Sequence, residues 1–328
     1  MRPGSGDREG MALLTVLLLV AVMSAVAVAI LDDVRFSVRR ATNAEIQAQA
    51  QWYASGAEAL VRREVARLMA ASPARTPVQP EWNGRRLELP FEDGSISAVL
   101  TDGQACFNLN SLVEGVGEDL MARPQGAAQF LALGRAIGAP DSGMRAAADA
   151  LTDWLDADGA ARPLGAEDGA YAGLATPYRT GGVLLAEVSE LRAVKGVDAD
   201  LYRRLRPYVC ALPTSRPSQL NVNTLTPEQA PLLMMLTDNV LSLDRARAVI
   251  SRRPREGWPD TAAFWAQPAL AAVQLPDEAR DQVTVLTRYF NLRVDVALGG
   301  DRAVRTALLH AQPDGAVRTV IQRWIPEE

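Results

Sequence analysis

Residues 8–31 read REGMALLTVLLLVAVMSAVAVAIL, and no residue from Met11 to Leu31 carries a charge. At about 1.5 Å of rise per residue, a helix over 11–31 spans roughly 31 Å, the thickness of a bilayer's hydrocarbon core. Arg2, Asp7, Arg8 and Glu9 precede the run, and Asp32 and Asp33 follow it directly. Beyond them, Ala44, Ile46, Ala48, Ala50, Ala54, Ala57, Leu60, Val61, Val65 and Leu68 keep apolar residues at helical spacing. No proline lies between Asp33 and Ser72. Gly56 is the one weak point, costing about 1 kcal/mol against alanine. Pro73, Pro77 and Pro80 then stop the helix. The spacing predicts one long helix from Met11 to about Ala71. Its first half suits lipid or other apolar helices, and its second half is amphipathic and packs on a soluble domain.

Working outward, residues 82–109 read as β structure. Leu87 and Leu89 alternate, EDGS at 92–95 is a turn, Ile96, Ala98 and Leu100 alternate again, and Asp102-Gly103 is a second turn. Residues 112–285 read as mostly helical, with periodic Ala and Leu through 127–137 and 143–155 and two further helical pairs at 186–208 and 226–252. Strands return where Phe290, Leu292, Val294, Val296 and Leu298 alternate. Gly299-Gly300-Asp301 and Pro313-Asp314-Gly315 then divide a three-stranded meander. Two early strands alone make a marginal sheet, so they are expected to complete it with the meander. The fold class is therefore α+β, with the helical block as an insertion between the strands.

The composition narrows function. The 328 residues hold 34 Lys+Arg against 39 Asp+Glu, a net charge of −5, which argues against a broad phosphate-binding surface. One His and two Cys exclude most zinc sites built from both, and any Ser-His-Asp triad would have to use His310. An anchored hydrolase is thereby disfavoured, though an Asp-based site stays open.

Three readings of the N-terminus compete. A secretory signal has an apolar core of about 7–15 residues before a small-x-small cleavage site, and this run is longer with no clear site. A plain single-pass anchor fits the run. The arrangement REG followed by MALLTVLLLV also resembles a type IV prepilin leader, in which residues 1–10 are removed after Gly10 and Met11 begins the mature chain. All three place the bulk of the chain outside the cytoplasm. Arg2 and Arg8 favour a cytoplasmic N-terminus. Arg35, Arg39 and Arg40 lie beyond the other end, partly offset by Asp32 and Asp33.

Five segments together resemble the minor pseudopilin K family of type II secretion. They are Gly10-MALLTVLLLV, FNLNSL at 107–112, DWLDADG at 153–159, ELRAVKGVDADLYRRLRPYV at 190–209 and LNVNTLTPE at 220–228. The first is common to pilin-like proteins, and the later ones are far more specific. Most pilin-like subunits carry Glu at the fifth mature position, where it pairs with a neighbour's N-terminal amine. Counting from Met11, this chain has Thr15 there. The resemblance implies a family that lacks the Glu because nothing stacks above it; a tolerated polar residue in a membrane helix is the plainer reading of Thr15.

The resemblance further implies a prepilin leader at 1–10, a transmembrane part of the helix at 11–31, and a pilin-like first half at 32–111. An inserted all-α domain of helix-hairpin-helix or SAM-like type follows at 112–285, then a β meander at 286–328. It implies a non-enzymatic subunit at the pseudopilus tip, with minor pseudopilins I and J, the other pseudopilins and prepilin peptidase as partners and no nucleic acid. The place implied is the bacterial inner membrane, with the N-terminus cytoplasmic and the C-terminal domain periplasmic.

The segment 153–169, DWLDADGAARPLGAEDG, gathers Asp153, Asp156, Asp158, Glu167 and Asp168 between turn formers. Calcium takes six to eight oxygen ligands, often from carboxylates on flexible loops. Asp156, Asp158 and Glu167 match EF-hand positions 1, 3 and 12, but Ala160, Ala161 and Arg162 break the pattern at 5, 6 and 7. From the residues alone, a solvated acidic loop after a helix is the favoured reading. The resemblance implies calcium, with Asp156, Asp158, Glu167 and Asp168 as ligands.

The block 186–258 also resembles helix-hairpin-helix units, through Leu191, Val194, Gly196 and Val197 and through Asn221 to Thr224 followed by Arg247, Arg252 and Arg253. A membrane-anchored DNA-binding protein of the competence type is the rival reading. Glu187, Glu190, Asp198 and Asp200 weigh against it and favour protein packing. Cys106 and Cys210 are expected as two separate buried thiols, with a periplasmic disulfide as the alternative. Trp154, Trp258 and Trp265 are expected as core anchors, and His310 as an ordinary strand residue.

Overall fold

The computed structural model describes residues 6–117, 119–271 and 273–325. Helix α1 runs unbroken from Gly6 to Ala71. Its most apolar window has a mean hydropathy of 2.9, and none of that window is buried against the rest of the chain. Burial begins at Ala50 and continues through Ala54, Ala57, Val65 and Met69, the three- and four-residue spacing of one helix face. The alanines let the helix sit close on the sheet beneath. Leu60, expected on this face, is 57 % exposed, because it lies roughly 100° round the helix from the buried stripe.

Strands β1 (Arg86–Phe91) and β2 (Gly94–Asp102) form a hairpin in which Phe91 faces Gly94 across the turn residues Glu92 and Asp93. Pro90 sits in β1 at the sheet edge, where a missing backbone donor costs no ladder bond.

The chain then leaves the sheet. The elements that follow are β3 (Phe107–Asn108), β4 (Val113–Val116), β5 (Asp119–Ala122), α2 (Pro124–Ala136), α3 (Asp141–Leu155), α4 (Asp168–Ala172), α5 (Ala199–Leu205) and β6 (Val209–Cys210). After them come β7 (Leu220–Asn221), α6 (Ala230–Leu236), α7 (Leu243–Ser251), α8 (Thr261–Trp265), α9 (Asp277–Asp281) and β8 (Val283–Thr284). The segment is helix-rich but not all-α. It contains three short ladders, β4–β5 antiparallel and β3–β6 and β7–β8 parallel. The two parallel pairings carry no strand pattern in the sequence, because two residues cannot show an alternation. Its apolar cluster takes in Ala105, Phe107 and Leu109, ahead of the expected boundary at 112, and reaches Val285.

Strands β9 (Tyr289–Leu298), β10 (Asp301–Ala311) and β11 (Val317–Ile325) close the fold. The five-stranded order is β1-β2-β9-β10-β11, antiparallel throughout. The early strands therefore do complete their sheet with the meander. Gly103 N donates to Tyr289 O at 2.8 Å, so the points of departure and return touch. One face of β9 and β10, including Phe290, Leu292, Val294, Val296, Ala307 and Leu309, packs on α1.

The intervening segment is built twice from one pattern. FNLNSL and LNVNTL open its two halves. Phe107 N donates to Tyr208 O, and Leu220 N to Gln282 O, both at 2.7 Å. Ser111 Oγ donates to Asn108 O at 2.6 Å, and Thr224 Oγ1 takes the matching place 2.9 Å from Asn221 O. Asn110 accepts from Leu185 N (2.7 Å) and donates to Leu185 O (2.9 Å). Asn223 does the same to Trp258, at 2.8 and 2.9 Å.

Cys106 and Cys210 form a disulfide, correcting the expectation of separate thiols. The β3–β6 pairing sets Asn108 opposite Cys210 and brings the two cysteine Cα atoms to 5.7 Å, inside bridging range. Trp154 and Trp258 are buried as expected. His310 stacks on Tyr289 with ring centroids 4.5 Å apart.

Candidate metal centre

Helix α3 has a buried face that ends in Thr152, Asp153, Trp154 and Leu155, and Asp156 caps it. The chain then loops out and returns to the helix end, where Gly182 N donates to Trp154 O at 3.0 Å. This loop is organised around Asp153, which is fully buried. The Asp153 carboxylate accepts from Arg162 N at 3.1 Å and from Ala166 N at 2.8 Å. Leu164 N donates to Asp149 at 3.1 Å. Gly165 is required here, because a Cβ would collide with Asp153 Oδ2.

The wrapping brings one carboxylate oxygen from each of Asp153, Asp156 and Glu167 within 4.8 Å of one another. Of the four residues expected from sequence, Asp156 and Glu167 thus converge. Asp158 stands beside them and accepts from Ala160 N at 2.9 Å. Asp168 turns aside and accepts from Thr180 N (2.9 Å) and Thr180 Oγ1 (3.0 Å). Asp153 was counted among the acids of this segment but not among its expected ligands, because in sequence it reads as one more helix residue. The signal was its place one turn before Asp156, on the same side of α3.

The electrostatics are those of crowded, buried carboxylates. Asp156 is 6 % exposed, yet its Oδ1 has no hydrogen-bond partner, and neither has Glu167 Oε1. Burial, then repulsion from Asp158 and Asp153, pushes the Asp156 pKa up to about 6. Burial, then Asp153, Asp156, Asp158 and Asp168, pushes Glu167 up to about 7. Burial also raises Asp153, against the bonds from Arg162 and Ala166. The Thr180 bonds hold Asp168 below the usual range. Arg162 is the nearby counter-charge, its Nε 3.7 Å from Asp153 Oδ1. Orphaned, buried carboxylate oxygens converging from a helix end and a loop fit a hard, oxygen-loving cation.

The second half of the segment holds no such cluster among the described residues. Its hairpin glycine, Gly257, is buried, with the Asn223 amide packed where a Cβ would go. The next backbone amide, Trp258 N, is spent on Asn223 Oδ1.

A long helix with an apolar, uncovered end, laid on an antiparallel sheet that carries a second helical unit, is the build of a pilin-like subunit. The chain belongs to the type II secretion system protein K family. Models described as type II secretion system (T2SS), protein K match residues 105–214 and 220–285, dividing where the repeated halves divide. The type II secretion system protein K of Pectobacterium carotovorum subsp. carotovorum is 36 % identical, over 96 % of each chain. That of Klebsiella pneumoniae is 37 % identical, over 98 % of this chain and 99 % of its own. A solved structure, the GspK-GspI-GspJ complex of enterotoxigenic Escherichia coli, matches with a TM-score of 0.78 and 30 % identity. It covers 88 % of this chain and all of that one. These relatives are components of a secretion apparatus and not of a known enzyme family, and they give the competence-type reading no support.

Proposed function

We propose that this chain is a minor pseudopilin that caps the periplasmic tip of a type II secretion pseudopilus, together with minor pseudopilins I and J, and helps start its assembly for export across the outer membrane. The observation that carries this reading is the placement of residues 103–288. They leave and re-enter between the paired strands β2 and β9 and form a core of their own beside the α1–sheet core. A head of that size leaves a following subunit little room. Thr15 supports the same reading: its hydroxyl is spent on Ala12 O at 2.9 Å, and it cannot form the ion pair that a Glu makes with a neighbour's amine.

In this reading the precursor is held in the inner membrane, N-terminus in the cytoplasm and head in the periplasm. Prepilin peptidase cuts after Gly10, and the retained helix from Met11 packs among other pseudopilin helices. The Cys106–Cys210 disulfide supports an oxidising compartment for the head. Intact mass of the purified protein tests the processing. A chain beginning at N-methylated Met11 is expected, and one beginning after residue 30 overturns the reading. Filament assembly in cells tests the cap: removing residues 104–288 is expected to let filaments grow past this subunit, and unchanged filaments count against it.

The acidic loop is proposed to hold calcium through Asp153, Asp156 and Glu167, with Asp158 alongside, Asp168 at the rim and backbone carbonyls filling the sphere. Calcium there would neutralise the crowded carboxylates and pin the loop to the end of α3. Calorimetric titration of the full chain in detergent tests it. Absence of both binding heat and melting shift at millimolar calcium removes the assignment.

A further inference from the structure

We infer that Asn110 is a positioning residue for the cation site, acting through the backbone of Leu185. The inference rests on the calcium reading proposed above. Asn110 is fully buried and lies outside the acidic loop. Its side chain grips both backbone groups of Leu185 and donates again to Leu212 O at 2.8 Å. Leu185 closes the arm by which the loop returns. Upstream on that arm, Gly182 N is tied to Trp154 O, and Thr180 is tied to Asp168, the neighbour of Glu167. Asp153 and Asp156 are held by helix α3, whereas Glu167 is carried by the loop. The position of Glu167 relative to the two helix carboxylates therefore depends on where the return arm is fastened. Asn110 fastens its far end.

The internal repeat supplies the comparison. Asn223 makes the same two-bond grip on Trp258. In that half only Arg252 to Gly257 separate the end of α7 from the gripped residue. In the first half the acidic loop fills the same interval, from Asp156 to Leu184. One clamp is thus used twice, and only the first copy has carboxylates to place. Both asparagines should support stability, Asn110 the more because it also holds Leu212 O, and only Asn110 should matter for calcium.

The test compares wild type, Asn110→Ala and Asn223→Ala as full chains in detergent, freed of metal and titrated with calcium chloride. Both variants are expected to melt earlier than wild type. Asn110→Ala is expected to bind calcium at least about 10-fold more weakly, the range seen when residues that orient metal ligands are lost. Asn223→Ala is expected to stay within about 2-fold of wild type, since it touches no ligand-bearing segment. Equal affinities in all three, or an equal loss in both variants, overturn the inference. Should Asn110→Ala not fold, amide exchange in the wild type decides. Saturating calcium is expected to slow exchange at Leu185 N and leave Trp258 N unchanged, and no difference between the two overturns the inference. If wild type itself binds no calcium, the metal reading and this inference fall together; if it binds and the clamp is irrelevant, only the inference falls.

Discussion

Asp102 ends β2 as a buried carboxylate, although its sequence context, Asp-Gly, reads as an exposed turn. Its Oδ2 accepts from Thr224 Oγ1 at 2.6 Å and Thr287 Oγ1 at 2.8 Å, and its Oδ1 from Gln104 N at 2.8 Å. It thus joins the strand that leaves the sheet to both ends of the second repeated half. Burial outweighs these bonds and raises its pKa from 3.8 to about 6. A carboxyl whose folded pKa is raised contributes stability below its unfolded pKa and loses it as pH rises through the folded value. Ionising Asp102 is therefore expected to cost on the order of 3 kcal/mol between pH 4 and 7. Asp102→Asn should flatten that part of the stability–pH curve and be no less stable than wild type at pH 7. Denaturant midpoints measured at pH 4, 5, 6 and 7 check this, and identical slopes in both proteins would sink it. Among the site residues, Asp156 and Glu167 were legible from their types and flanking glycines. Asp153 and Asn110 were not, since a helix interior and an N-x-N motif carry no sign of which backbone they face. The repetition of FNLNSL as LNVNTL was the available signal.

At the scale of elements, α1 is held on the sheet by one buried pair as well as by its alanine stripe. Arg305 of β10 donates to Glu58 of α1 at 2.7 Å, and Glu58 accepts also from Thr319 of β11 at 2.6 Å. Arg305 further bonds Gln322 at 2.7 Å and lies over the Trp324 ring at 4.9 Å. Arg305→Ala leaves Glu58 buried without its partner and is expected to cost about 3–5 kcal/mol. Replacing both with methionine should recover most of that loss; a double variant as unstable as the single would show that the cost lies in packing instead. The helix was readable over its whole length because its period persists for many turns. The pair was not, because 247 residues separate its members. The disulfide is similar. It closes a span of 104 residues, so Cys210→Ala is expected to cost about 4–5 kcal/mol, read as an earlier melt that reductant no longer changes.

In the whole molecule, two cores share one junction. Gln104 spans it, donating to Gln219 O (2.6 Å) and Leu286 O (3.0 Å) and accepting from Arg288 N (2.8 Å). On the far side, Arg323 of β11 pairs with Glu187 at 2.6 Å, two residues beyond the arm that Asn110 holds. Because Gly103 and Tyr289 touch, replacing residues 104–288 with a short turn should leave α1 and the five-stranded sheet folded. The shortened chain is expected to keep cooperative melting with strand-rich circular dichroism and to lose any calcium response. Loss of the sheet would mean that the helical unit is needed to hold β2 against β9. By itself, the sequence determined the anchor helix, the strand–helix–strand order and the acidic loop, because each is written in local periodicity or composition. Tertiary structure alone decided which carboxylates meet, that the two cysteines bond, and that one asparagine clamp is used twice. Glu167 lies 11 positions from Asp156 and the cysteines 104 from each other, and such separations leave no local period to read.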